Sequence, residues 1–101
     1  MMQGTVRHVD LKAFVGLSVS KIEISEFGVT LVFKHTKLLD IPTHWELVDT
    51  KTNAVLDRGL SIKLREQFLL LRIIHKRLLS FAKLQYQVDL FFDEDLRLTV
   101  F

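Results

Sequence analysis

Phe27-Gly28-Val29-Thr30-Leu31-Val32-Phe33-Lys34 places an apolar side chain at every second position, the period of a strand with one face in a core. Tyr86-Gln87-Val88-Asp89-Leu90-Phe91-Phe92-Asp93 repeats the pattern 59 residues later. The pairs Leu39/Leu98 and Ile41/Val100 continue in register. The match runs back through Ile22/Phe81 and Val19/Leu78 to Phe14-Val15-Gly16 against Ile73-Ile74-His75. A repeat at a fixed offset predicts a pseudo-symmetric architecture in which neither half buries its apolar face alone. Leu31 and Leu90 are then equivalent core positions, and Phe27, Phe33, Tyr86 and Phe92 belong to the same face.

The chain of 101 residues is read as a single domain, with the internal duplication spanning about residues 10–41 and 69–100. No linker or low-complexity tract divides it. Mean hydropathy is +0.24, high for a small soluble monomer, which points to apolar surface meant for a partner. Cysteine is absent, which excludes disulfides, thiolate nucleophiles and cysteine zinc sites. Residues 1–10 lack a signal-peptide pattern, and the most apolar stretch, residues 68–74, contains Arg72 and is too short to span a bilayer. The expected location is cytoplasmic, with no membrane partner. A net charge of +2 does not by itself imply a nucleic-acid partner.

Working outward from the two alternating stretches, Asp10 is placed to cap a short helix over residues 11–15 that Gly16 ends. Residues 17–25, 27–34 and 38–41 read as three strands, with a bulge between Val19 and Ile22 and a stop at Pro42. Residues 44–48 form a fourth strand and residues 54–56 a short return. Residues 61–75 predict one long helix, capped by Asp57 or Ser61 and apolar in three directions: Leu64, Phe68 and Leu71; Leu70 and Ile74; Ile62, Leu69 and Ile73. The second copy supplies strands over residues 77–84, 86–93 and 96–101. The predicted fold class is therefore α+β, mainly antiparallel β: two pseudo-symmetric three-stranded units, one long helix and a short N-terminal helix. A helix apolar on three sides needs cover beyond one sheet, and Leu69 and Ile73 are the candidate contacts of a homodimer.

No constellation in the chain carries a reaction. His8, His35, His44 and His75 lie at none of the i, i+2 or i, i+4 spacings of a metal pair, so neither a metal nor a cofactor is expected. No phosphate loop or nucleophile elbow is present, and the protein is read as a non-enzyme. Asp93-Glu94-Asp95 is the densest acidic cluster, and together with Glu23 and Glu26 it is a candidate face for a basic protein partner. Arg65, Arg72 and Lys76, with nearby Arg77, form a basic stripe and the candidate contact in an alternative, nucleic-acid-binding reading. Trp45 is either a core plug or an interface anchor.

The runs V-G-L-S-V-S-K-I-E-I, G-V-T-L-V-F and L-L-D-I, closing with V-D-L-F-F and L-R-L-T-V, resemble small bacterial β proteins built from two copies of a G-x-x-V-x-x-I … L-x-F-x-D-G-x-x-L-x-I unit. Both Asp-Gly turns of that unit are replaced here, by His35-Thr36 and Glu94-Asp95, and His75 stands where a glycine is usual. In size and type the chain is also similar to the small cytoplasmic immunity proteins that bacteria pair with toxins. That resemblance implies a non-catalytic binder whose partner is a cognate protein toxin.

Overall fold

The computed structural model describes residues 3–25, 28–59 and 69–101, with side chains from Thr5 onward. The stretch that alternates from residue 27 becomes β3 (Gly28–Phe33), flanked in sequence by β2 (Val19–Ser25) and β4 (Lys37–Ile41). Its later copy becomes β8 (Val88–Phe92) between β7 (Leu78–Lys83) and β9 (Leu96–Val100). Leu31 stands opposite Ile22 and Leu39, and Leu90 stands opposite Phe81 and Leu98. The register shift between Val19 and Lys21 recurs between Leu78 and Ser80. Three further strands, β1 (Gln3–Thr5), β5 (Trp45–Asp49) and β6 (Ala54–Arg58), extend the two units. The sheet orders are β1-β4-β3-β2 and β6-β5-β9-β8-β7. β1 lies parallel to β4, and every other pairing between these strands is antiparallel.

The inner faces share one core. Val29, Leu31, Phe33, Leu39 and Ile41 from the first sheet meet Val88, Leu90, Phe92, Leu98 and Val100 from the second. Leu31 and Leu90 are both fully buried. Trp45 is buried too, as a core residue. Gly59 lies so close beside it that a Cβ there would meet the indole ring and the Thr43 carbonyl oxygen. Gly28 has φ +136, and a Cβ would strike the carbonyl oxygen of Ile41, so position 28 accepts no side chain.

The two units are tied by a reciprocal exchange of backbone. Gly16 N donates to Leu78 O at 2.8 Å, and its counterpart His75 N donates to Val19 O at 2.7 Å. Leu78 N to Leu17 O and Val19 N to Lys76 O, both 3.0 Å, form the second matched pair. Ser18 and Arg77, equivalent in the repeat, bridge each other at the centre. Each lead-in thus runs along the edge strand of the other unit and inserts two apolar side chains under it, Leu11 and Phe14 in one copy, Leu70 and Ile73 in the other. Phe14 packs edge-on against Phe33, with centroids 5.2 Å apart.

The predicted long helix, and with it the α+β class, is corrected here. Its residues 61–68 lie outside the described residues. Leu69–Ile73 is a 3-10 turn, and no helix of seven or more residues occurs among the described residues. The reason lies in the bonds: Ile74 N to Leu71 O and Lys76 N to Ile73 O close i to i+3 rings, after which the chain must extend to reach Val19. The short N-terminal helix is likewise a 3-10 turn, Leu11–Ala13, capped by Asp10 through Lys12 N at 3.1 Å. The fold is mainly antiparallel β in two sheets.

His35 (φ 66) and Thr36 (φ 56) match Glu94 (φ 63) and Asp95 (φ 60), and His75 (φ 71) matches Gly16 (φ 89). Both hairpins keep left-handed backbone without the glycine that favours it, at a cost of roughly 1–2 kcal/mol per residue. Thr36→Gly should therefore stabilise the protein by about 1 kcal/mol, read as a higher urea midpoint with unchanged slope. Leu31→Ala and Leu90→Ala should each cost about 2–5 kcal/mol in the same measurement, and a loss confined to one of them would break the equivalence of the two core positions.

Candidate partner-binding surfaces

The acidic turn and the basic stripe, separate in sequence, are brought together by the exchange that joins the units. Phe92 stands opposite Leu78, so the turn after β8 lies beside the residues that lead into β7. Asp93 Oδ2 accepts from the Arg77 backbone N at 2.9 Å and from its Nε at 3.4 Å. Glu94 pairs with Lys76 at 3.2 Å and Asp95 with Lys51 at 3.3 Å. Thr50 donates to the Asp95 carbonyl oxygen through its backbone N (2.9 Å) and hydroxyl (3.1 Å), closing the turn onto the β5–β6 loop. Three carboxylates thus meet three cations, and the end of the sheet carries little net charge. The Arg77 backbone N–H holds the Asp93 carboxyl below its ordinary value near 3.8; the cost of burial opposes it, and the Arg77 side-chain hydrogen bond and the Arg77 and Lys76 charges add to the lowering.

The remaining sequence candidates lie apart from this cluster. Glu23 is on β2, paired with Lys21 at 3.1 Å, while Glu26 and Arg65 fall outside the described residues. Arg72 is exposed. Ile73 is fully enclosed in the chain's own core and cannot serve as a dimer contact without opening it; Leu69 is half-buried. The reason is the 3-10 turn, which aims Ile73 inward at the position Phe14 holds in the first copy. No group of three or more His, Asp or Glu side chains among the described residues is placed to hold a metal ion.

A polar pair on the outer face of each sheet was not foreseen from sequence. Thr30 Oγ1 donates to Asp40 Oδ1 across β3 and β4 at 2.9 Å. At the equivalent positions of β8 and β9 the residues are exchanged, and Thr99 Oγ1 donates to Asp89 Oδ1 at 2.8 Å. Gln87 Nε2 also donates to Asp89 (3.1 Å), and Arg97 Nε donates to Thr99 Oγ1 (3.1 Å). Asp89 is 8% and Thr99 3% exposed, so the second pair is a satisfied cross-strand latch, with its carboxylate occupied. The signal was available: both residues hold outward positions between apolar neighbours in strands of strict alternation.

The other end of β8 has a different character. Lys83 Nζ donates to the carbonyl oxygens of Val9 (2.8 Å) and Arg7 (3.3 Å), and Arg7 Nη1 donates to Leu84 O at 3.1 Å. These bonds staple the segment after β1 to the end of β7. They set Arg7 and His8 on the rim of a depression of about 340 Å³ whose other walls include Pro42, Val88, Val100 and Phe101. The Phe101 ring stacks edge-on with His44, centroids 6.4 Å apart. Tyr86, expected in the core, is instead 79% exposed in the adjoining turn, because β8 begins only at Val88; Leu84 and Phe101 are also exposed.

No family model, curated protein or solved structure matches the chain. No helix among the described residues is long and apolar enough to cross a membrane.

Because the carboxyl of Asp93 is held below its ordinary value, its contribution to stability is complete above the unfolded value near 3.8 and vanishes as pH falls through the folded value. Asp93→Asn should therefore be less stable than the parent at about pH 7, with the gap closing by about pH 2. Urea midpoints across that range test this. A gap that stays constant would assign the loss to the amide's geometry instead of the carboxylate charge.

Proposed function

We propose that the chain is a non-catalytic, cytoplasmic protein-binding module, most concretely an immunity protein that neutralises a cognate bacterial toxin by direct binding. The observation that carries this reading is the exposure of Leu84, Tyr86 and Phe101, with Phe101 on the wall of the depression that Arg7 and His8 also line and Leu84 and Tyr86 in the β7–β8 connection to which Arg7 bonds. Exposed aromatics beside a concavity on strand-anchored backbone are what a binding surface presents, since aromatic anchors and arginine dominate interface energetics. Lys76 and Arg77, two members of the basic stripe, are taken up by Glu94 and Asp93, which supports a protein partner over a nucleic acid. The same pairing supports moving the binding face from the acidic turn to the Tyr86 end.

Co-expression with the protein encoded beside it should relieve that protein's toxicity and give a complex stable to added salt. Tyr86→Ala should weaken the complex by about 2 kcal/mol without lowering the melting temperature, and Glu94→Lys should leave it unchanged. Toxicity undiminished by the wild-type chain would overturn the immunity reading. A complex sensitive to Glu94→Lys and indifferent to Tyr86→Ala would return the binding face to the acidic turn.

A further inference from the structure

The charge distribution about the Tyr86 corner specifies the chemistry of what binds there, an inference that rests on the protein-binding reading above. Among the described residues the Arg7 guanidinium makes one hydrogen bond, to the Leu84 carbonyl oxygen, and has no carboxylate partner. Lys83 is held by two carbonyl oxygens, which orient its ammonium without neutralising it. Lys21, Lys51, Arg58, Lys76 and Arg77, by contrast, each pair with an acid. Among the described residues no acidic side chain lines the depression, and Asp10, the acid nearest in sequence, accepts from Lys12 N in its own turn. The walls beside Arg7 include Pro42 and Phe101, with the buried Val88 and Val100 beneath them.

We infer that the partner docks through an acidic peptide segment built around one large apolar residue, its side chain seated against the exposed Phe101 ring and its carboxylates on Arg7 and Lys83. A guanidinium with free N–H groups above an apolar floor favours such a segment in two ways. Its fork donates to both oxygens of a carboxylate, and Phe101, half-exposed on the wall, gains from being covered. The absence of a competing carboxylate on the walls means no repulsion opposes the approach.

The test titrates the isotope-labelled full chain, followed by amide shifts, with a capped pentapeptide in which a central phenylalanine is flanked on each side by two aspartates. Its asparagine counterpart and phenylacetate are run in parallel. Saturable shifts at Arg7, His8, Leu84, Tyr86, Val88 and Phe101 are expected for the aspartate peptide. Affinity should fall on the order of ten-fold with Arg7→Gln, an exposed position whose variant keeps the parent's dispersed spectrum. Equal binding of the asparagine peptide, shifts centred on residues 93–95, tighter binding of phenylacetate, or no shift at millimolar peptide would each overturn the inference. Relief of toxicity in co-expression is read separately, so failure here leaves the protein-binding reading standing, and failure there does not depend on which peptide binds.

Discussion

The backbone exchange about Ser18 and Arg77 is the constraint on which the rest of the structure depends. A three-stranded antiparallel unit has two edges and one apolar face, and neither is stable in water alone. In this chain each unit's lead-in leaves its own strands and bonds to the first residue of the other unit's edge strand, Gly16 to Leu78 and His75 to Val19. One crossing covers part of an edge and also delivers Leu11 with Phe14, or Leu70 with Ile73, beneath the opposite strands. The same crossing fixes the left-handed residue before it, glycine in one copy and histidine in the other. Edge protection, core filling and turn conformation therefore follow from a single two-fold arrangement.

That arrangement holds geometry more tightly than residue identity. The two hairpin turns share left-handed backbone at His35-Thr36 and Glu94-Asp95, although no residue is common to them. The latch on the outer faces keeps its threonine and its aspartate while swapping their strands, because a hydroxyl donating to a carboxylate across a cross-strand pair works in either direction. Positions that face the core keep their apolar character, and positions at the turns are free to diverge. Chemistry specific to this chain is concentrated there for that reason.

The two ends of β8 show how far the divergence goes. At one end, Asp93, Glu94 and Asp95 are matched to Arg77, Lys76 and Lys51, giving an end whose charges are spent within the molecule. At the other, Arg7 and Lys83 are oriented by carbonyl oxygens and have no acidic partner among the described residues, and Tyr86 and Phe101 are exposed. Exposed ion pairs contribute little to stability, so the contrast bears on recognition: complementary charge steers and selects partners, and the second end carries cations that no acid among the described residues pairs.

The sequence by itself determined the strands and their register. Alternation at Val29, Leu31 and Phe33 and again at Val88, Leu90 and Phe92 leaves one register that buries all six, because a slip of one residue turns every side chain to the wrong face. It also placed Asp10 as a cap, which depends on neighbours a few residues away, and Gly16 as a left-handed residue, although the 3-10 turn itself ends at Phe14. Only the tertiary structure decided the rest. Apolar residues over 69–74 satisfy a helical period in sequence, yet Leu70 and Ile73 point into the core of a 3-10 turn, because a bond to Val19 requires extended chain directly after it. The parallel pairing of β1 with β4, the exposure of Tyr86 and the meeting of Lys76, Arg77 and Lys51 with the acidic turn all arise from contacts between segments far apart in the chain. Local periodicity reports which face of an element is apolar; which distant segment covers that face, and which charges are left over, is settled by packing.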